Sequence, residues 1–202
     1  MNDHAARHTL ARRGFTLVEA LMATAVTAIA GSTLLIGISS SLRTTDDNMR
    51  ATIAFGLAEQ LMDEIAGSRY AGVGDGPYQV SLGPTLAEAA GGGRQLFDDI
   101  DDYHRFTAGP PQDPWGIPLG RGQGDGNARN PNFQIADGYF DAWRREVEVY
   151  YVDESDHSVR LSAVQTSNFR AVEVRVYYTD PVAGEVLLAD VRRVFSYFPV
   201  TP

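Results

Sequence analysis

The feature that most constrains this chain is an uncharged run at residues 20–42 that follows a single carboxylate, Glu19. As an α-helix the run would be about 35 Å long at ~1.5 Å per residue, and the hydrocarbon core of a bilayer is about 30 Å thick. The run is therefore long enough to cross a membrane. A carboxylate at the start of such a segment costs free energy, so we expect Glu19 to have a compensating partner.

Charges on either side of this run predict its orientation. Arg7, Arg12 and Arg13 precede it, whereas the charges of residues 43–50 cancel, so the positive-inside rule places the N-terminus in the cytoplasm. The rest of the chain is then exported. Its acidic excess repels nucleic acid, which argues against direct DNA binding, and the absence of cysteine excludes disulfides and thiolate metal sites.

The apolar pattern continues past Arg43 without a break. Apolar residues recur every four positions over residues 49–65, and no proline interrupts residues 15–66 before the expected stop at Gly67-Ser68. The recurring residues are Met49, Ile53, Leu57, Leu61 and Ile65. This pattern predicts one helix of about 50 residues, roughly 75 Å long, with an amphipathic second half that packs on a sheet.

Three interpretations of the N-terminal segment compete. A signal peptide would be cut after the small residues Ala28-Ile29-Ala30, and Arg12-Arg13 is a partial twin-arginine pattern. The apolar run, however, continues well beyond Ala30. A plain signal anchor explains the length of the run but leaves Glu19 unexplained.

The third interpretation rests on residues 13–19, Arg-Gly-Phe-Thr-Leu-Val-Glu. This segment resembles the cleavage and methylation signature of type IV pilins and type II secretion pseudopilins. The resemblance implies that a prepilin peptidase cuts between Gly14 and Phe15 and methylates the new amine of Phe15. Glu19 is one helical turn from Phe15, so the two charges could pair within one chain. The resemblance implies instead that Glu19 receives the amine of a neighbouring subunit, so that the charge sets the register of filament assembly.

Small residues within the span favour lateral packing of helices. Two rows at four-residue spacing would let helices approach closely. They are Ala23, Thr27, Gly31 and Thr33, Gly37, Ser41. The alternative is that such residues are simply common in membrane helices.

Residues 69–140 are rich in glycine and proline and are predicted to be mostly loop, with short regular hints at 78–82 and 85–90. The stretch Asp113-Pro114-Trp115-Gly116 is similar to a turn of major pseudopilins. The alternative, which we favour, is an ordinary turn with a buried indole.

A cluster of four carboxylates also lies in this region: Asp98, Asp99, Asp101 and Asp102. Such a cluster could bind Ca²⁺, which prefers several oxygen ligands, but the spacing of calcium loops is absent. We favour solvated loop charge here, and a hairpin tip for the acidic run at residues 153–157.

Three strands are predicted at 145–152, 170–179 and 185–198 because apolar and polar residues alternate there. One face would carry Val147, Val149, Tyr151, Val172, Val174, Val176, Tyr178, Leu187, Val191, Phe195 and Tyr197. The turn at residues 180–184 joins the last two strands. Short links suggest an antiparallel meander whose apolar face covers the helix, which is an α+β fold.

No nucleophile, phosphate-loop or metalloprotease motif is present, so we expect no enzyme and no cofactor beyond the calcium that the acidic cluster could bind. The expected organisation is a leader (1–14), a transmembrane assembly segment (15–42), an amphipathic helix (43–68), a variable loop region (69–140) and a sheet (141–202).

The resemblance implies a minor pilin or pseudopilin. Its partners would be the prepilin peptidase, other subunits and the assembly platform of the inner membrane. It would span that membrane once and then enter a pilus or pseudopilus. The rival hypothesis is an exported or membrane-anchored binding protein, calcium-dependent through the acidic cluster.

Overall fold

A computed structural model describes residues 14–74 and 76–198. The predicted leader lies outside the described residues except for Gly14. The chain divides into two compact units, Met1–Asn48 and Met49–Pro202. The division falls inside one long helix, α1, and each unit is described by itself.

Helix α1 spans Leu17–Ala66, which confirms the prediction of one helix of about 50 residues. Its end is set by Gly67, whose N–H donates to the carbonyls of Asp63 and Glu64 at 3.1 and 3.2 Å. The N–H of Ser68 then donates to Ile65 O at 3.0 Å. These bonds satisfy carbonyls that the last turn would otherwise leave without a partner, so the predicted stop at Gly67-Ser68 is confirmed.

In the part of the chain that the structure describes, the sheet has four strands in the order β1-β2-β3-β4, each antiparallel to its neighbour. Their bounds are Thr107–Ala108 (β1), Trp143–Tyr151 (β2), Phe169–Asp180 (β3) and Gly184–Ser196 (β4). The three long strands match the predicted ones and confirm the α+β layout, whereas β1 was not predicted. The turn before β4 forms because Asp180 Oδ1 accepts the N–H groups of Val182 and Ala183 at 2.8 and 3.0 Å.

The link between β2 and β3 takes up residues 152–168, as many residues as lay between the two predicted strands, so it is not one of the short links that the meander prediction described. The expected hairpin tip at 153–157 is part of this link. In it, Asp153 Oδ1 accepts the N–H of Ser155 at 2.8 Å and that of Asp156 at 3.1 Å.

The second half of α1 packs on β2 and β3 around one hydrophobic core. Leu57, Leu61 and Ile65 are buried as predicted, but Met49 is 52 % exposed. Because a helical turn takes 3.6 residues, each four-residue step rotates about 40° past a full turn, and Met49 has left the buried face. The face is completed by residues that the four-residue pattern missed: Ala54, Ala58 and Met62.

The prediction for β4 was wrong at Leu187, which is 46 % exposed. A β-bulge lies opposite the step from Val176 to Tyr177, where Val176 pairs with Ala189 and Tyr177 pairs with Leu187. Leu188 is therefore the extra residue and joins the core in place of Leu187. Val191 and Phe195 pack against the core as predicted.

Among the described residues between α1 and β2, which exclude residue 75, little regular structure occurs. It comprises a short helix, α2 (Leu86–Ala89), two 3-10 turns at Asp101–Tyr103 and Pro131–Phe133, and β1. Helix α2 matches the hint at 85–90, because Thr85 and Glu88 form a capping box. The hint at 78–82 is not a strand in the structure.

Candidate functional site

The processing segment predicted from the sequence lies at the start of α1. Gly14, Phe15 and Thr16 precede the helix, and Thr16 O accepts the first helical bond, from Ala20 N at 3.1 Å. Thr16 Oγ1 accepts the N–H of Glu19 at 3.2 Å. Thr16 is therefore the N-cap of α1.

Glu19 completes the cap in the reverse direction. Its Oε2 accepts the backbone N–H of Thr16 at 3.2 Å and the hydroxyl of Thr16 at 3.2 Å. This reciprocal arrangement is a capping box, and a carboxylate in the first turn also interacts favourably with the helix dipole. The Glu19 carboxylate, for which the sequence alone showed no partner, is thus bound by Thr16 of the same chain.

Residues 17–49 of α1 are exposed along their whole length. This helix, which lies near the N-terminus, is long and apolar enough to cross a membrane. The hydroxyls in the run bond back to the helix, as Thr27 does to Ala23 O at 2.7 Å and Thr33 to Ile29 O at 2.9 Å. Since those polar groups are satisfied internally, they add little to the cost of transfer into lipid.

One row of small residues lines a shallow groove on this helix. Thr33, Gly37 and Ser41 share it with Ala30, Leu34 and Ile38. Within the described ranges 14–74 and 76–198, no side chain fills the space beside Gly31 or Gly37, because an added Cβ would meet nothing within 4 Å at either position. The backbone is open to close approach there.

The acidic cluster is not solvated loop charge, and that prediction was wrong for three of its four members. Asp99, Asp101 and Asp102 are buried, whereas Asp98 remains exposed and lies 3.3 Å from Arg69. Backbone N–H groups hold the buried carboxylates. They donate from Asp101 to Asp99 Oδ1 at 2.7 Å and from Asp98 to Asp102 Oδ2 at 2.8 Å.

Asp101 forms a buried ion pair with Arg170 at 2.6 Å. The same guanidinium donates to the backbone carbonyls of Tyr70 and Pro77 at 2.7 and 3.1 Å, and to the hydroxyl of Tyr151 at 2.8 Å. One fully buried cation thus joins β3, β2, the acidic turn and the segment after α1. Burial of a charge requires such a set of partners.

The other two buried carboxyls of the cluster, Asp99 and Asp102, have raised pKa values. Burial, together with the hydrogen bond to Asp101 and the charge of Asp101, raises the pKa of Asp99 to about 7. Burial raises the pKa of Asp102 to about 6, against the lowering effect of the N–H groups of Asp98 and Asp99. Both carboxyls are poised to titrate near neutrality.

The structure does not bring the four predicted calcium ligands together. Asp101 is committed to Arg170, whereas Asp98 and Asp102 approach Glu88 of α2, with one oxygen of each carboxylate within 4.8 Å of the others. Glu88 could hold a cation there, although it also accepts the N–H and hydroxyl of Thr85 at 2.7 and 2.6 Å. Sequence reasoning missed Glu88 because it lies outside the acidic run.

The Asp113-Pro-Trp-Gly turn is ordered by its aspartate. We predicted that its indole would be buried, and this prediction was wrong. Asp113 Oδ1 accepts the N–H groups of Trp115 and Ile117 at 3.0 and 2.9 Å. Trp115 is 39 % exposed because the turn packs through its backbone. The carbonyl of Pro114 accepts the N–H of Arg94 at 2.6 Å.

Two further buried arginines fasten this turn to α1. Arg94 makes a two-pronged ion pair with Glu64 at 2.7 and 2.9 Å, and it also donates to Gln112 O. Arg145 donates to Gln112 O at 2.6 Å and to Gln60 Oε1 at 2.7 Å. Burial and the neighbouring charge of Arg94 lower the pKa of Arg145 to about 10. Arginine stays charged at such a value, so this is a fixed positive charge in the core.

The two histidines beyond the leader serve local structure. Nδ1 of His104 accepts the N–H of Val149 at 3.3 Å, and burial lowers the pKa of His104. The ring of His157 lies against Phe169 with centroids 4.3 Å apart. The expectation that the protein is not an enzyme stays a prediction.

The chain matches no protein-family model, no curated protein and no solved structure.

Proposed function

We propose that this chain is a minor pilin or pseudopilin, a structural subunit that a prepilin peptidase processes and that assembles through α1 into a type IV pilus or a type II secretion pseudopilus. The observation that carries the proposal is the Gly14-Phe15 signature with Glu19, at the start of a continuous 50-residue helix. The exposed apolar first half of that helix and the core-forming second half support it.

Processing would create the charge that assembly needs. Cutting after Gly14 leaves a cationic amine on Phe15, whose reference pKa is about 7.7. A carboxylate and an ammonium attract strongly where water is excluded. Glu19 is one turn along the helix from Phe15, and in the assembled filament it would receive the amine of a neighbouring subunit.

The groove lined by Thr33, Gly37 and Ser41 supports lateral association of such helices. Without a hydrophobic driving force between helices in lipid, close backbone approach supplies the contact energy. The partners of the chain would be the peptidase, other subunits and the assembly platform of the inner membrane. Its N-terminus would face the cytoplasm, and residues after the span would lie outside.

Mass spectrometry of the mature N-terminus tests the proposal. When the full chain is co-expressed with a prepilin peptidase, the expected product begins at N-methylated Phe15. Gly14→Val should block the cut, and Gly37→Val serves as the matched control that leaves it intact. A product that begins at Gly31 would instead support the signal-peptide interpretation and overturn the proposal.

Glu19→Ala tests the role of the carboxylate separately. We expect the variant to be cut normally and to be lost from sheared filaments, because no counter-ion would meet the neighbouring amine. Asp47→Ala removes an exposed carboxylate from the same helix and is the control. Normal incorporation of Glu19→Ala would contradict the role assigned to this residue.

A second candidate function is an exported or membrane-anchored binding protein that depends on calcium. The approach of Glu88, Asp98 and Asp102 is the observation that favours it. Calorimetric titration of the full chain in detergent with CaCl₂ tests this second candidate. Saturable binding that Asp98→Asn abolishes and Asp153→Asn leaves intact would support the calcium-dependent function.

A further inference from the structure

The peptide bond that the proposed function assigns to the peptidase lies just outside α1. The helix begins at Leu17, and Gly14, Phe15 and Thr16 have no helical structure. The boundary is set by Thr16, which accepts Ala20 N with its carbonyl at 3.1 Å and Glu19 N with its hydroxyl at 3.2 Å. The Gly14-Phe15 bond therefore precedes the capping residue.

This placement matters because a peptide bond within a helix is a poor substrate. Its carbonyl oxygen is engaged by the N–H four residues on, and the coiled backbone cannot lie along a peptidase as an extended strand. Local unfolding of that turn would have to precede cleavage. In a chain with an apolar helix directly after the cut, a cap that fixes the first helical residue therefore keeps the peptide bond to be cut outside the helix.

The residue that would replace Thr16 as the cap is Gly14 itself. Glycine caps helices about as well as threonine, whereas alanine at the capping position is poor. Without the hydroxyl of Thr16, the helix would gain two residues by moving its cap to Gly14. The carbonyl of Gly14, which is the one to be attacked, would then accept the N–H of Val18.

We propose that Thr16 is a positioning residue for the cut: by capping α1 it holds the Gly14-Phe15 bond in non-helical backbone that a peptidase can bind. This inference rests on the proposed function. The carboxylate of Glu19 reinforces the cap through Oε2, but the bond from Glu19 N to Thr16 Oγ1 uses only backbone of residue 19. Removing the Glu19 side chain therefore leaves the main cap in place, and for this reason too we expect Glu19→Ala to be cut normally.

The test compares cutting rates of the full chain in detergent micelles by a purified prepilin peptidase. For Thr16→Ala we expect kcat/KM to fall about five-fold, which corresponds to about 1 kcal/mol, the usual contribution of a capping hydroxyl. Thr16→Ser keeps the hydroxyl and should restore the rate. Thr27→Ala is the matched control, because Thr27 bonds to Ala23 O inside the helix at 2.7 Å.

Amide hydrogen exchange in the uncut chain provides a readout that needs no peptidase. In Thr16→Ala the Val18 amide should exchange about five-fold more slowly than in the wild type, because it gains the carbonyl of Gly14 as an acceptor. Thr16→Ser should exchange like the wild type.

The possible outcomes separate the two proposals. If the wild-type chain is not cut between Gly14 and Phe15, the proposed function fails. If the wild type is cut and Thr16→Ala is cut at the same rate, the positioning role is overturned and the proposed function stands. Slow cutting of Thr16→Ser as well as Thr16→Ala, with unchanged Val18 exchange, would show that the peptidase contacts the threonine itself, which also overturns the positioning role.

Discussion

At the scale of single residues, Arg170 has the most consequential environment among the described residues after α1. Its side chain is fully buried and its charge is balanced by Asp101 at 2.6 Å. Removing one member of a buried ion pair leaves the other charge uncompensated, and this costs more than the pair itself contributes. We therefore expect a single substitution in this pair to lower the free energy of unfolding much more than substitution of both residues.

We expect Arg170→Met to lower the free energy of unfolding by about 3–5 kcal/mol, measured by denaturant unfolding in detergent. The double variant with Asp101→Asn should recover part of the loss. Arg160→Met is the control, because Arg160 is half exposed beside Glu148 and such pairs contribute about 0–1 kcal/mol. Equal losses for Arg170→Met and Arg160→Met would contradict the buried pair.

The acidic turn predicts a dependence of stability on pH. Asp99 and Asp102 have pKa values of about 7 and about 6 in the folded chain, raised from 3.8, so the folded state binds these protons more tightly than the unfolded state. Their contribution to stability is full below pH 3.8 and is lost as the pH rises through about 6 to about 7. The lowered pKa of His104 opposes this trend in acid.

In the presence of a chelator, the melting temperature of the wild type should therefore be higher at pH 5 than at pH 8. Asp99→Asn mimics the protonated carboxyl and should flatten this difference by raising the melting temperature at pH 8. Asp153→Asn, on the exposed link between β2 and β3, should not. A wild type that is more stable at pH 8 than at pH 5 would show that ionisation of Asp99 and Asp102 does not destabilise the folded chain.

At the scale of elements, the amphipathic half of α1 is the support on which the sheet packs. Leu61→Ala removes a fully buried side chain and should cost about 2–5 kcal/mol of unfolding free energy. Met49→Ala, at a position that is 52 % exposed, should change stability by less than about 0.5 kcal/mol. Both values come from the same denaturant unfolding measurement, and a large loss for Met49→Ala would place it on the buried face.

Elements with a strong period were predictable from the sequence. The long strands β2 and β3 alternate cleanly because one face is buried, so Val147, Val149, Val172, Val174 and Val176 all lie in the core as expected. The bulge at Leu188 could not be predicted from the sequence, because the alternation of apolar and polar residues around it does not indicate one extra residue. Its effect was to turn Leu187 outward.

Long-range partners were equally invisible to the sequence. A run of aspartates looks solvated until the fold supplies Arg170 from β3 and backbone donors from the turn itself. Trp115 looked like a core residue because it is large and apolar, yet its turn is anchored by Asp113 and by the backbone of Arg94. The capping box at Thr16 and Glu19 was predictable from the spacing of the two residues, but the family resemblance implied for Glu19 a partner in a neighbouring subunit instead.

At the scale of the whole molecule, the absence of cysteine makes topology easy to measure. Ser155→Cys, on the exposed link between β2 and β3, should react with a membrane-impermeant maleimide added outside the inner membrane. Ser32→Cys, within the proposed span, should stay unlabelled until the membrane is dissolved. Labelling of Ser155→Cys only after the membrane is broken would reverse the proposed orientation.

The helix start at Leu17 also bears on how a processed chain could join different neighbours. If Phe15 becomes the first residue, the methylated amine is carried by two non-helical residues, which reach up to about 7 Å at ~3.5 Å per residue. The cation would then be attached to the helix by a short flexible segment. It would be able to reach carboxylates of neighbouring subunits at slightly different positions along the helix axis. A subunit at an irregular end of a fibre, where successive copies are not identical, would gain most from that tolerance.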